Sequence, residues 1–261
     1  MAIVVREVYH HNLVTEFNLI QQSLSRFPFA SLDTEFPGTV YYPDGVPAHL
    51  RSTLSPAAFY KVMKKNIDSL NLIQIGLTLS DANGHLPTFG TPSQYVWEFN
   101  FRDFDYEFDL QNPDSISLLR RQGIDFLKNK RIGIDSRHFA MLFDASGLGL
   151  SSFCGRVMWV TFHGPYDFGF LIKILTRRAL PEDVYDVKNM IRLFGLHGGL
   201  DRVAKSLNLG RLAGKSHQAG SDSLLTMHVF LTLIKRCSND EKMESAMGKL
   251  NHMVYGLTRV S

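Results

Sequence analysis

Two acidic residues stand two positions apart at the end of an apolar, strand-like segment, FPFASLDTEF. Side chains at positions i and i+2 of a strand point to the same face, so Asp33 and Glu35 would lie side by side. Burying two carboxylates together costs several kcal/mol unless a positive charge lies between them. The pair is therefore either a solvated strand end or part of a metal site.

Two more acids lie at junctions between predicted elements. Asp167 follows the strand-like VMWVTFHG and opens the helical pattern YDFGFLIKILT, while Asp222 stands near the start of SDSLLTMHVFLTLIK. Helix capping is one interpretation of both residues, because Asp is favoured at helix starts. A metal-ligand role is the other. His217, five residues before Asp222, adds the side chain type that most often transfers protons in enzymes.

Four converging carboxylates would suit hard divalent cations such as Mg²⁺, which prefer oxygen ligands. Two such ions about 4 Å apart can activate a water molecule and stabilise the leaving oxygen of a phosphodiester. Asp33, on a central strand, would bridge the two ions, and His217 would accept the proton of the attacking water. A second D-x-E pair, Asp105 and Glu107, lies in a charge-dense stretch and is interpreted as solvated surface.

The elements that must position these residues alternate between strands and helices. FPFASLDTEF, LIQIGLTLS and YVWEFNF are predicted as strands, and their short connections predict an antiparallel meander. VMWVTFHG and DVYDVKNMI are predicted as parallel additions, because helical segments separate them. DSISLLRRQGIDFLKNK is predicted as a helix capped by Asp114 or Ser115. The pattern indicates an α/β fold with a ribonuclease H-like mixed sheet, three antiparallel plus two parallel strands, flanked by helices.

The chain has 261 residues, of which 44% are hydrophobic and 20% charged, as in soluble globular proteins. No repeat or linker divides it, so we expect a single domain over 1–261, with a tail at 237–261 of unknown role. The apolar runs are too short for a membrane span. Two cysteines favour a reduced intracellular compartment. The net charge of +3 permits a polyanionic ligand without requiring one.

Two other site types are disfavoured. GRLAGKS resembles a phosphate-binding P-loop, but Leu209 stands where the first glycine is required, so a flexible basic loop near the phosphates of a ligand is the preferred interpretation. A zinc site is not predicted, because the chain has neither C-x-x-C nor H-E-x-x-H.

Six segments resemble, in order, the motifs of the Caf/Pop-type poly(A)-specific ribonucleases, which belong to the "h" form of the DEDD exonuclease superfamily. They are LDTEFPG, NLIQIGLTL, WEFNF, WVTFHGPYDFGFLIKILT, GGLDRVA and HQAGSDSLLT. The resemblance extends over roughly residues 5 to 235, and its first and last segments are the most specific.

The resemblance implies that Asp33, Glu35, Asp167 and Asp222 bind two divalent cations, Mg²⁺ or Mn²⁺, with His217 as general base. The implied reaction is hydrolytic release of AMP from the 3′ end of an mRNA poly(A) tail. The implied partners are a NOT scaffold protein and a second deadenylase subunit, in the cytoplasm with a possible nuclear share.

Three further residues are candidate substrate contacts. Phe36 and Tyr166 flank the acids and either pack in the core or stack on terminal bases, as aromatic side chains do in single-strand binding. His163 lies near a position where many superfamily members carry Asn, and it is a candidate to orient a carboxylate or contact substrate.

Two departures from the family keep other readings open. Gly164-Pro165 replaces a small polar residue that members more often carry, and the segment before Tyr185 is shorter than in members. A largely non-catalytic subunit that bridges a scaffold and a second nuclease is one alternative, which the intact acids disfavour. A DNA-directed proofreading-type exonuclease is another, which the wording of DTEFPG and HQAGSDSLLT disfavours.

Overall fold

The computed structural model describes residues 1–45, 56–149, 157–162, 164–175, 185–186 and 196–237. Within these ranges six strands form one sheet in the order β1-β4-β3-β2-β5-β6. They are β1 (Ala2–Val8), β2 (Phe29–Glu35), β3 (Gln74–Ser80), β4 (Ser93–Asn100), β5 (Met158–Thr161) and β6 (Tyr185–Asp186).

The predicted mixed sheet is confirmed. Strands β2, β3 and β4 form an antiparallel meander. Strand β5 pairs parallel to β2, and β6 pairs parallel to β5. Strand β2, which carries the D-x-E pair, therefore has a neighbour on each side. The predicted strand over 183–191 is seen at Tyr185–Asp186, and the rest of that segment lies outside the described residues.

Strand β1 was not predicted. It pairs parallel with β4, from Ala2 opposite Ser93 to Val8 opposite Phe99. Its β-branched residues favour an extended chain. The partner strand is about ninety residues away, however, and β1 lies at the sheet edge with charged residues near its end, so local pattern alone did not identify it.

The helices flank both faces of the sheet. They are α1 (Leu13–Ser23), α2 (Pro56–Ser69), α3 (Pro113–Gln122), α4 (Phe126–Ile132), α5 (Ser136–Phe143), α6 (Pro165–Leu175), α7 (Leu200–Ser206) and α8 (Ala219–Cys237). Helices α1, α2, α5 and α6 share one large apolar cluster with the sheet, whereas α7 and α8 pack together on a second cluster with β5.

The helix predicted over 114–130 is in fact two helices. Helix α3 ends at Gly123, whose φ of 106° lies in the left-handed region that glycine adopts without strain. The predicted cap was also wrong. Asn112 caps α3, because its side chain accepts hydrogen bonds from the backbone N–H groups of Asp114 and Ser115.

Two sequence-level expectations concern the chain as a whole. The single domain over 1–261 stays a prediction, and residues 238–261 of the tail lie outside the described residues. Among the helices that the structure describes, none combines the length and apolar composition that a membrane span requires.

A partly buried ion pair connects the unpredicted edge strand β1 to α1. Arg6 of β1 donates from Nε and Nη2 to the two oxygens of Glu16 in α1, at 2.6 and 2.7 Å. Trp97 Nε1 of β4 donates to the same carboxylate at 3.1 Å. Glu16 is only 3% exposed, so its removal leaves the buried indole N–H of Trp97 and the partly buried guanidinium of Arg6 without this acceptor.

We expect Glu16→Ala to lower the free energy of unfolding by about 2–4 kcal/mol, as loss of one partner from a largely buried pair does. Urea unfolding followed by circular dichroism measures it. The matched control is Asp68→Ala, which breaks the exposed Lys64–Asp68 pair and should cost less than about 1 kcal/mol. Equal losses in the two variants would contradict the assignment.

Candidate active site

Strand β2 presents its two acids to helix α8. Alternate residues Ser31, Asp33 and Glu35 share a face of the sheet, and the Ser31 hydroxyl donates to the carbonyl oxygen of Ser223 in α8 at 2.6 Å. Glu35 is buried and Asp33 is only partly exposed. The solvated-strand-end interpretation of this pair is therefore wrong.

A glycine on the neighbouring strand lets α8 approach these acids. Gly76 of β3 lies opposite Asp33 in the sheet register. A Cβ atom at position 76 would lie 2.0 Å from the carbonyl oxygen of Ala219, the first residue of α8. The start of α8 consequently rests directly on the sheet beside Asp33, which a larger residue would prevent.

Asp222 lies inside the first turn of α8 rather than at its cap position, because the helix begins at Ala219. Its carboxylate accepts hydrogen bonds from Arg211 at 2.6 Å and from the backbone N–H of His217 at 2.8 Å. The capping interpretation of Asp222 is thus wrong. The carboxylate faces the loop before the helix and the D-x-E pair, not the free amides of its own first turn.

Three side chains from two distant parts of the chain meet at this point. Ligand atoms of Glu35, His217 and Asp222 all lie within 4.8 Å of one another. His217 is exposed and lies on a loop, as expected, and its φ of 61° is a left-handed conformation that costs a non-glycine residue free energy. The fold holds this histidine in a strained conformation next to two carboxylates.

Asp167 reaches the same region from the opposite face of the sheet. It is the third residue of α6, which follows β5, the strand next to β2. It is buried, and it accepts a hydrogen bond from Thr34 Oγ1 at 2.6 Å. Because α6 begins at Pro165, the capping interpretation of Asp167 is wrong as well.

The acids of the site raise the pKa values of their neighbours. Burial, followed by the charges of Asp167, Asp222 and Glu35, raises the pKa of Asp33 well above its usual range. Burial and the charges of Asp222 and Asp167 do the same to the pKa of Glu35. Burial also raises the pKa of Asp222, against an opposing effect of Arg211. Such a cluster is most stable when protons or cations offset its charge.

The donor set suits a divalent cation of the Mg²⁺ or Mn²⁺ type. It consists of carboxylate oxygens with one imidazole nitrogen, whereas a structural zinc site would be built largely from cysteine and histidine. The mutual repulsion of the buried acids is the electrostatic condition that a bound cation relieves. The residues present therefore fit such an ion.

The aromatic candidates form a stacked pair at the edge of the core. The rings of Phe36 and Tyr166 are 5.1 Å apart and within 10° of parallel, and Phe36 also lies 4.9 Å from the ring of Phe170. Both rings remain partly exposed. Their packing role is therefore real, and a substrate contact through their exposed parts stays a prediction. His163 lies outside the described residues.

Three further residues of the site were not found from the sequence. They are Thr34, Glu98 and Arg211. Arg211 was interpreted as part of a basic loop near phosphates, whereas it bonds to Asp222 and Asp201. The strand alternation of WEFNF was a usable signal for Glu98, since Trp97 and Phe99 face the large core and Glu98 must face the site.

Glu98 is a buried carboxylate in line with the acids of β2. In the sheet register it lies beside Gly76, which lies beside Asp33. Its oxygens accept hydrogen bonds from Gln74 Nε2 and from the N–H of Gly220, each at 3.3 Å. Burial is the largest cause that raises the pKa of Glu98, from 4.5 to about 7. Glu98 thus anchors the start of α8 at an electrostatic cost.

The electrostatic cost of burying the Glu98 carboxylate depends on pH. A raised carboxyl pKa in the folded state means that stability is lost as pH rises from about 4.5 to about 7. We expect Glu98→Gln to stabilise the metal-free protein above pH 7 by on the order of 1–3 kcal/mol, and to have no such effect below pH 4.5. Thermal unfolding in chelator across this range measures it, and a pH-independent difference would contradict the explanation.

Comparison with known proteins places this geometry in a family. A family described as CAF1 family ribonuclease matches residues 8–138. The Arabidopsis thaliana protein named "Probable CCR4-associated factor 1 homolog 7" is 43% identical, over 98% of this chain and 94% of its own length. The Schizosaccharomyces pombe protein named "Poly(A) ribonuclease pop2" is 39% identical, over 97% of this chain and 75% of its own.

Solved structures agree with the fold. S. pombe Pop2p, in a form with bound Mg²⁺ and Mn²⁺, superposes with a TM-score of 0.82 at 36% identity, over 97% of this chain and 99% of that one. Yeast CAF1, co-crystallised with the NOT1 MIF4G domain, superposes with a TM-score of 0.74 at 32% identity, over 97% of this chain and 96% of that one. A nuclease domain described as a DEDDh family member superposes with a TM-score of 0.51 at 13% identity, over 81% of this chain and 94% of that one. This likeness concerns the fold alone.

Proposed function

This chain belongs to the CAF1 family of ribonucleases, and from that premise we propose that it is a 3′→5′ exoribonuclease that shortens mRNA poly(A) tails and releases 5′-AMP. The observation that carries the proposal is the meeting of Glu35, His217 and Asp222 within 4.8 Å beside Asp33 on the central strand. The S. pombe relative named as a poly(A) ribonuclease supports the substrate class.

We propose that Asp33, Glu35, Asp167 and Asp222 hold two divalent cations, Mg²⁺ or Mn²⁺. When bound, such ions make water a better nucleophile and offset charge on the reacting phosphodiester. The raised pKa of the acids and the ions found in S. pombe Pop2p support this assignment. Thr34 then orients the Asp167 carboxylate through its hydroxyl.

His217 serves as the general base. Its exposed ring lies beside Glu35 and Asp222, so a water held at these acids is within reach of a ring nitrogen. As that nitrogen takes the proton, the water oxygen bonds to phosphorus and the bond to the 3′ oxygen of the preceding ribose breaks. The leaving 3′ oxygen takes a proton from solvent, so the products are 5′-AMP and an RNA shorter by one nucleotide, with a free 3′ hydroxyl.

The RNA end is placed by Tyr166 and Phe36, with His163 as a third contact. The two stacked rings directly follow Glu35 and directly precede Asp167 in the chain, and Phe36 also packs against the ring of Phe170. Base stacking on such rings favours single strands, and it tolerates any base. The preference for adenosine therefore rests on the family and not on contacts of these rings.

We further propose that the chain assembles with a NOT scaffold protein and a second deadenylase subunit, in the cytoplasm with a nuclear share. The yeast CAF1 structure with the NOT1 MIF4G domain, which this chain resembles over nearly its whole length, supports the first partner.

The test is incubation of the purified chain with a 5′-labelled RNA that ends in twenty adenosines, in Mn²⁺ or in Mg²⁺. A ladder that shortens from the 3′ end, with 5′-AMP as the released nucleotide, is the expected result. A matched DNA oligomer distinguishes the proofreading-type alternative, which would degrade it at a similar rate. RNA that stays intact in both ions would favour the bridging-subunit alternative.

A further inference from the structure

The acid cluster contains a cation supplied by the protein itself. Arg211 lies in the loop between α7 and α8, and its side chain is only 15% exposed. Its charge lowers the pKa of Asp33 and of Asp222, against the effect of burial. A largely buried guanidinium in contact with a carboxylate of a proposed metal site requires an explanation, because it reduces the negative charge that attracts the metal.

The contacts of Arg211 fix both ends of its guanidinium group. Nη1 donates to Asp222 Oδ1 and to the hydroxyl of Ser221, each at 2.6 Å. Nη2 donates to Asp201 Oδ1 of α7 at 2.6 Å. A planar fork held between two carboxylates has little freedom to rotate, and lysine, with its single ammonium group, cannot reproduce both contacts.

The Asp201 carboxylate completes a ring of hydrogen bonds that returns to His217 in the loop before α8. Asp201 Oδ2 accepts a hydrogen bond from the hydroxyl of Ser216 at 2.8 Å. The next residue, His217, donates its backbone N–H to Asp222 Oδ2 at 2.8 Å. The ring therefore runs from Asp222 through Arg211, Asp201, Ser216 and His217 back to Asp222, and it contains the proposed base together with a proposed metal ligand.

We propose that Arg211, held by Asp201 and Ser216, is a positioning residue that fixes Asp222 and His217 relative to one another for phosphodiester hydrolysis. The ring explains how His217 keeps its left-handed backbone conformation, since the hydrogen bonds on each side of it offset the strain. It also explains the guanidinium in the cluster, which offsets acid repulsion before a metal binds. The inference rests on the proposed function.

The decisive variants are Arg211→Lys and Asp201→Asn. Arg211→Lys keeps the charge and loses the fork, and we expect kcat on oligoadenylate to fall about 10- to 100-fold, as loss of such supporting contacts does. The KM for RNA should change less than about twofold, because the ring touches the reacting groups and not the rest of the strand. Asp201→Asn weakens only the contacts of Asp201 with Arg211 and Ser216, so its kcat should lie between those of Arg211→Lys and wild type.

Two measurements without RNA test the same ring. Hydrogen exchange of the metal-free protein should show the His217 amide exchanging at least about tenfold faster in Arg211→Lys, because its acceptor is no longer held. Calorimetric titration with Mn²⁺ should show binding weakened by about 10-fold or more in that variant. Methylguanidinium added to Arg211→Ala should restore part of the lost kcat, which a general loss of folding would not allow.

The matched control is Arg6→Lys, which alters the bidentate arginine–carboxylate pair between the edge strand β1 and α1, outside the ring. It should lower the melting temperature while kcat per folded molecule and Mn²⁺ affinity stay at wild-type values. Wild-type kcat, Mn²⁺ affinity and His217 exchange in Arg211→Lys would overturn the inference. If wild-type protein does not shorten poly(A), the proposed function fails, whereas exchange and Mn²⁺ binding still decide whether the ring exists.

Discussion

Asp33→Asn should reduce the rate of poly(A) shortening by about 10³-fold or more, because it removes a carboxylate that we propose would hold the divalent cations. The same substitution should make the metal-free protein more stable. Burial and the neighbouring charges raise the pKa of Asp33, so its ionised form is held at a cost that a neutral amide does not carry. Initial rates on labelled oligoadenylate and thermal unfolding in chelator measure the two effects.

The chain supplies its own control for this prediction. Asp105 belongs to the second D-x-E pair, which the structure places outside the cluster, where Asp105 pairs with Lys130 at 2.9 Å. The pKa of Asp105 is lowered, chiefly by that contact. Asp105→Asn should therefore leave the rate unchanged and not raise stability. A slow Asp105→Asn enzyme, or an active Asp33→Asn enzyme, would show that the wrong acid pair had been assigned.

Removal of divalent cations should abolish activity completely, and Mn²⁺ or Mg²⁺ should restore it. The site consists largely of carboxylates, and its guanidinium, Arg211, is held between Asp222 and Asp201, so a bound cation is needed to offset the charge on a reacting phosphodiester. Protein passed through EDTA and then dialysed measures this loss, with rates recorded as each ion is added back.

Addition of Mn²⁺ should also raise the free energy of unfolding. Mn²⁺ binds the folded state, so at about 100 times its Kd it should raise the free energy of unfolding by about 2.7 kcal/mol. Asp222→Asn should reduce that increase, since it removes one of the three groups that meet within 4.8 Å. Activity that survives chelation, or a melting temperature that Mn²⁺ does not move, would argue against a metal-dependent reaction.

The elements around the site were predictable to the extent that their signals are local. Strands β2, β3 and β4 are short apolar runs between turn signals, and α1, α2 and α8 show helical spacing of apolar residues. Strand β1 was missed because β4, its partner in the described sheet, lies far along the chain. The break between α3 and α4 was missed because it depends on a positive φ at Gly123 and on a cap at Asn112.

The sequence by itself determined which groups are candidates for the chemistry, since residue types and spacing, together with the resemblance to the family motifs, singled out Asp33, Glu35, Asp167, Asp222 and His217 before any contact was known. Only the tertiary structure decided how those groups are held. Thr34, Glu98 and Arg211 act through partners from other strands, helices and loops. Such contacts arise when the chain folds, and local pattern could indicate only the face of the sheet on which Glu98 lies, not the partners of these residues. The tertiary structure also explains why carboxylates that repel one another stay together, because the packing of α6 and α8 against the sheet offsets their repulsion.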